Sequence, residues 1–131
     1  MSIKIVLQGD YGVKHTELGG ERTMEESVMC PRFQKAMGMM SQRWTGLVIY
    51  QLLSGPKRFC ALESSIGLSG RVLSERLKDL ENHGIVKRVV FPETPVRIEY
   101  SLTEKGLALE PIVKEIEKWS QTWIPIESDS L

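Results

Sequence analysis

Metal-ligating side chains are scarce: 131 residues carry only two cysteines and two histidines. Cys30, Cys60, His15 and His83 stand too far apart in sequence to make a zinc-ligand cluster, so no metal site is expected. A glycine-rich phosphate loop and a nucleophile elbow are also missing. No catalytic residues are therefore assigned, the chain is not expected to be an enzyme, and no cofactor is called for. Long apolar runs are absent too. The longest, LVIY at 47–50, is far short of the ~20 residues that span a bilayer. The apolar patch at 3–7 is too short for a secretory core, so no membrane partner is expected and a cytoplasmic location follows by default. Nor is there any net charge, since 17 Lys and Arg balance 17 Asp and Glu. That balance excludes a broad basic field as the source of affinity for a polyanion.

What is present is an ordinary soluble composition, 41% hydrophobic and 26% charged, in a chain long enough for one domain with its own core. The charge is unevenly placed. Residues 1–30 carry three basic and five acidic side chains, 31–53 three and none, 54–102 eight and six, and 103–131 three and six. The middle of the chain is its cationic part. Any affinity for a polyanion would then come from a few placed Arg and Lys contacts.

The stretch 68–106 has the order of a recognition helix followed at once by a β-ribbon. Ser69 is a good N-cap, and Leu68 and Leu73 stand in the relation of a hydrophobic staple. At the other end Gly84 sits at C′, with Leu80 and Ile85 placed for the apolar contact of a Schellman stop. The spacing predicts a helix over 70–83. Within it Leu73, Leu77 and Leu80 recur at i, i+4, i+7 as a buried stripe, and Arg71, Ser74, Glu75 and Lys78 gather opposite. A merely solvated helix would show the same pattern, so its neighbours decide.

Upstream, 58–66 offers a shorter helix with Phe59, Leu62 and Ile66 on one side, closed by Gly67, and two short helices joined through a Gly turn are a helix-turn-helix. Downstream, 85–91 and 97–102 are rich in Val, Ile, Phe and Tyr and are separated by PETPV. They read as a hairpin whose two prolines keep its ladder from extending, with Lys87, Arg88 and Arg97 placed as a wing would meet phosphate.

Elsewhere, 31–40 predicts a helix with Phe33, Ala36, Met37 and Met40 on one side. A second, over 44–53, is almost wholly apolar and is expected at the centre of the core. Thr103 can cap a last long helix, bent at Pro111, whose stripe of Leu109, Ile112, Val113, Ile116, Trp119 and Trp123 is too wide for one small domain to cover. Burial against a second copy is expected for part of it. Residues 3–7 read as a strand and 9–23 as turns without periodicity. Met24 offers an alternative start. The expected organisation is an N-terminal extension over 1–29, a winged domain over 30–124 and a tail over 125–131.

Taken in order, Cys30-Pro31, Trp44-Thr45, GPKRF at 55–59, LSERLKDLE at 73–81, GIVKR at 84–88 and VRIEYSLTEKG at 96–106 resemble the HxlR family of bacterial transcriptional regulators, which are related to MarR. The resemblance runs from about Met29 to Trp119. It implies an α+β, mostly helical winged helix-turn-helix with N- and C-terminal dimerisation helices, a homodimer that binds double-stranded operator DNA and most commonly represses. Two positions depart from the family pattern. Gln42-Arg43 stand before Trp44 in place of Gly-Lys, and Cys60 stands where Asn is common.

The DNA-binding set implied is Arg58, Ser69, Arg71, Ser74, Glu75, Lys78 and Arg97. Arg71 is placed for a bidentate base-edge contact, Ser74 and Lys78 come next with Lys78 towards phosphate, and Arg58, Arg97 and the 92–96 loop meet the backbone or minor groove. Arg76, towards the apolar flank, is structural. Cys30 lies immediately before Pro31 at a helix start with Arg32 beside it, a setting that favours a thiolate. In several HxlR-like regulators the cysteine at this position senses electrophiles or oxidants. The resemblance carries that role to Cys30, with Cys60 as a candidate partner; the plainer alternative is two reduced thiols. Two further alternatives stay open. One is a winged helix used for protein contacts, and the other is gating by a small hydrophobic effector among Met37, Met40, Trp119 and Trp123.

Overall fold

The computed structural model describes residues 3–6, 12–13, 16–18, 21–23 and 25–126; Leu7, His15, Met24 and the tail from 127 to 131 lie outside them. The chain divides into two compact units, residues 1–42 and 43–131.

In the first unit β1 (Ile3–Val6) runs parallel to β5 (Glu25–Val28), with Ile3 opposite Glu25 and Val6 opposite Val28. β2 (Gly12–Val13) pairs antiparallel with β5, and β3 (Thr16–Leu18) with β4 (Glu21–Thr23) in a separate two-stranded sheet. The strand expected at the N-terminus is thus present, but the stretch 9–23, read as turns, holds three short strands. Strands of two or three residues are too short to show an alternating period. α1 (Pro31–Met40) has the expected bounds, with Pro at its start and Cys30 as N-cap. None of its residues is buried, and Phe33 and Met37 are exposed.

The second unit is an α+β winged helix-turn-helix. α2 (Thr45–Leu52) buries Val48, Ile49 and Leu52, as its apolar run requires, but Leu47 and Tyr50 face outward. Trp44 enters α2 in the left-handed region at φ 76°, with the Arg43 guanidinium 4.6 Å from its ring centroid. α3 (Phe59–Ile66) contributes Leu62 to the core and ends at Gly67. α4 (Gly70–Asn82) contributes Leu73, Leu77 and Leu80.

β6 (Val86–Phe91) and β7 (Arg97–Leu102) pair antiparallel from Val86 opposite Leu102 to Phe91 opposite Arg97. Lys57 exchanges backbone hydrogen bonds with Tyr100 at 2.9 and 2.8 Å, so the segment before α3 tacks onto the ribbon as a one-residue third strand. Ile85, Val86 and Leu102 anchor the root of the ribbon in the same core as the helices. Full burial of such side chains stabilises by roughly 1.5–3 kcal/mol each.

The single long helix expected after the ribbon is instead two. Thr103 caps α5 (Glu104–Leu107), accepting from the Gly106 N–H at 3.1 Å, and α6 (Glu110–Trp123) starts anew at Pro111. The reason is steric. A proline ring collides with the carbonyl four residues earlier, here Leu107, which is where α5 stops. α6 packs against α2, and the Tyr50 hydroxyl donates to Glu117 at 2.8 Å. That bond to a carboxylate, and the charge behind it, hold the Tyr50 phenol above its usual range.

α5 is fixed by close approach. A Cβ on Gly106 would overlap the Ile85 carbonyl oxygen and come within 3.0 Å of Leu102 Cδ2. Gly106→Ala should therefore destabilise the winged unit by ~1–3 kcal/mol, the usual cost of overpacking. Thermal unfolding would register this as a lowered Tm; an unchanged Tm would show that the α5–ribbon junction yields freely.

Candidate nucleic-acid interface

α4 is held at both ends by the means its sequence indicates. The Ser69 hydroxyl accepts from the Val72 N–H at 3.3 Å. At the other end the Ile85 N–H reaches the Leu80 carbonyl and the Gly84 N–H the Glu81 carbonyl, each at 2.9 Å, with Gly84 at φ 74°. That is the double bond of a Schellman stop, for which a left-handed residue without Cβ is suited. Two side chains from the start of α5 close the same end. The Thr103 hydroxyl donates to the Gly84 carbonyl and the Lys105 ammonium to the His83 carbonyl, both at 2.6 Å. A cation at a helix C-terminus also complements its dipole.

With three leucines inward, the outward face is determined. Arg71, Ser74, Glu75 and Lys78 are all exposed, and the Arg71 side chain retains 83% of its surface. Glu75 lies 3.8 Å from both Arg71 and Arg76, at the middle of this face. Arg76 is only 12% exposed, 3.5 Å from Asp79, with its Nε buried and without a hydrogen-bond partner, in keeping with a structural position. Ser69 uses its hydroxyl on the cap, so its part at this face is to fix where the helix begins.

The wing carries Lys87 and Arg88 exposed on β6. Arg97 is different. Its Nη2 and Nε donate to the two Glu93 carboxylate oxygens at 2.9 and 3.3 Å, its Nη1 donates to Glu99 at 2.6 Å, and its guanidinium stacks 3.8 Å from the Phe91 ring centroid. The bonds to Glu93 first, then Glu99, raise the Arg97 pKa, and reciprocally the Arg97 bonds hold Glu93 below the usual carboxylate range. Arg58, exposed at the start of α3, adds a further pull on Glu93 in the same direction. Two cations expected to meet phosphate thus converge on one carboxylate. Glu93, Glu99 and Phe91 were not singled out from sequence. The available signal was charges of opposite sign at 93, 97 and 99 around a turn with two prolines.

The thiol candidates fall in different units. Cys30 is half-buried at the N-cap of α1, its carbonyl accepting from the Gln34 N–H at 3.0 Å, and Cys60 is exposed on the first turn of α3. The expected effector lining is divided in the same way, with Met37 and Met40 in the first unit and Trp119 and Trp123 in the second. Trp119 and Trp123 are exposed, as are Ile112 and Ile116. Among the described residues no group of three or more His, Cys, Asp or Glu could hold a metal ion, and no helix is long and apolar enough to cross a membrane.

The sequence profile described as HxlR-like helix-turn-helix matches residues 39–128. The chain belongs to that family. In class it is a helix-turn-helix transcriptional regulator. It is 61% identical over 102 residues to the HTH-type transcriptional regulator YvaP of Bacillus subtilis (strain 168), covering 77% of this chain and 94% of YvaP. It is 45% identical over 95 residues to the HTH-type transcriptional regulator YodB of the same organism, covering 72% and 85%.

The reduced form of YodB superposes with a TM-score of 0.67 at 44% identity, over 73% of this chain and 95% of that one. Diamide-treated YodB superposes with a TM-score of 0.63 at 43% identity, over 75% and 98%, and quinone-bound YodB with 0.63 at 39%, over 72% and 100%. The redox regulator HypR in its oxidized form superposes with a TM-score of 0.68 at 32% identity, over 72% and 99%.

Because the Ser69 hydroxyl caps the first turn of α4, Ser69→Ala should cost about 1 kcal/mol of stability. Chemical denaturation would show it as a lower midpoint with unchanged slope, and a midpoint equal to the parent would assign the helix start to packing alone.

Proposed function

We propose that the chain binds a pseudo-palindromic operator as a homodimer and represses transcription in the cytoplasm, the α4 helices of two copies entering major grooves ~34 Å apart. The observation that carries this reading is the outward face of α4. Arg71, Ser74, Glu75 and Lys78 stand free of the core on a helix capped at both ends. Arg71 reads a guanine edge, Glu75 is placed to accept from a cytosine amino group, and Lys78 meets phosphate. Residues 30–124 form the working domain, with 1–29 an extension and 125–131 a tail.

The second copy is supported by α6. Ile112, Ile116, Trp119 and Trp123 recur at i, i+4, i+7, i+11 and are 50%, 57%, 58% and 67% exposed in the single chain. A seam of this kind is seldom left in water. α1, which buries nothing in the single chain, leaves Phe33 and Met37 exposed as well.

The signal proposed is an oxidant or electrophile acting on Cys30. Its place at the N-cap of α1 beside Pro31 and Arg32 supports this, as does the likeness to regulators seen in reduced, diamide-treated, quinone-bound and oxidized forms. Cys60 is a candidate partner. A small hydrophobic effector is the second reading. An open hollow of about 290 Å³ at the root of the wing favours it, lined by Leu52, Leu53, Pro56, Leu102 and Leu107 with Lys87 and Ser101 at hand.

Arg71→Ala should cost ~1–3 kcal/mol of discrimination between operator and random duplex, whereas Lys78→Ala should weaken both alike and flatten the salt dependence by about one phosphate contact. Equal loss on both duplexes from Arg71→Ala would refute the division of roles. Selection of bound sequences from a random duplex pool should enrich an inverted repeat with reduced protein and lose it after diamide. The Cys30→Ser protein should keep the repeat after diamide. Loss there as well would remove Cys30 as the sensor, and no enrichment from reduced protein would sink the DNA reading.

A further inference from the structure

The Arg97 side chain has two sides with different neighbours. Its Nη1 is held at 2.6 Å by Glu99, which stands in register on the ribbon opposite Val89 and is 23% exposed. Its Nη2 and Nε, the edge suited to a bidentate anion, face Glu93 at 2.9 and 3.3 Å. Glu93 lies outside the ladder, in the loop between the strands, and its side chain is 51% exposed. Phe91 supports the guanidinium plane from below at 3.8 Å, so the ring orientation survives whichever anion occupies that edge. With Glu93 and Glu99 both in place, the Arg97 guanidinium is flanked by two carboxylates. A phosphate approaching Arg97 finds its bidentate edge already occupied.

We propose that Glu93 is an internal stand-in for a DNA phosphate, and that on binding the Nη2 and Nε edge of Arg97 passes from the Glu93 carboxylate to the backbone while Glu99 and Phe91 keep the guanidinium in place. This rests on the DNA-binding reading and adds to it a device against indiscriminate binding. No charge is created or lost in the exchange; one anion leaves and another takes the same two N–H donors. The Glu93 carboxylate is released beside Arg58, whose guanidinium already acts on it. The phosphate has to displace Glu93 before it is held, so the carboxylate lowers affinity for random DNA without abolishing the Arg97 contact.

The test is a double-mutant cycle on Glu93 and Arg97, read as affinity for a random-sequence duplex of about 30 base pairs across a salt series. Glu93→Gln should raise affinity roughly two- to fivefold, the competitor being an exposed ion pair. Arg97→Gln should lower it and reduce the slope of log affinity against log salt by about 0.9, one phosphate contact. In the Arg97→Gln background the gain from Glu93→Gln should vanish.

A gain that persists there in full would show general charge repulsion and overturn the exchange. A loss of affinity from Glu93→Gln, with no change of salt slope from Arg97→Gln, would show that the pair only stiffens the wing, and would overturn it as well. A parent protein that binds no duplex overturns the DNA reading itself, a result separable from either of these. Thermal unfolding of all four proteins identifies any loss caused by misfolding, and Arg97→Lys, which keeps the charge but not the bidentate edge, should restore the salt slope without restoring full affinity.

Discussion

Burial of Leu73, Leu77 and Leu80 is the constraint on which the rest of the winged unit depends. These side chains, almost without exposed surface, fix the rotation of α4 about its axis. Once that is set, the residues at 71, 74, 75 and 78 have no freedom to face anywhere but outward. The ends then fix its position along the axis. Ser69 sets the first turn, and the stop at Gly84 turns the chain at once into Ile85 and Val86, which are themselves buried. Helix and wing are therefore parts of one packed object. A change in the leucines would be felt at the wing.

α4 was legible in sequence because every signal that defines it is local: a cap, a staple, a 3.6-residue period and a glycine within a single span of seventeen positions, 68–84. The ribbon was legible for the same reason. The last helix was misread at one point, where Pro111 was taken to bend a helix that it divides. Thr103 and Glu110 both offer plausible starts, and only the clash with the Leu107 carbonyl shows that the chain uses each of them. The three short strands between 12 and 23 gave no usable signal because two or three residues cannot display an alternating period.

Within the candidate interface, residue type and spacing placed Arg71, Ser74, Glu75 and Lys78 on one face, and that face is exposed. They did not show that Arg97 would be held by Glu93 and Glu99, because that arrangement depends on the return angle of the loop. Nor did they separate Arg76 from its neighbours except by its place near the apolar flank. Its buried Nε and its pair with Asp79 make that distinction physical. Charge counts alone could not have found either result, since both concern which cations are already engaged.

The break between α5 and α6 has an architectural consequence. α5 is committed to the end of α4 through Thr103, Lys105 and Gly106, whereas α6 begins after Ala108 and Leu109 and answers to α2. The joint works as a mitre between two separately fastened pieces. In a dimer built on α6, small changes at residues 108–109 would alter the angle at which the two halves meet. In such a dimer the spacing of half-sites and the base preference of each would be set in different places, so a lineage could revise the one and leave the other untouched.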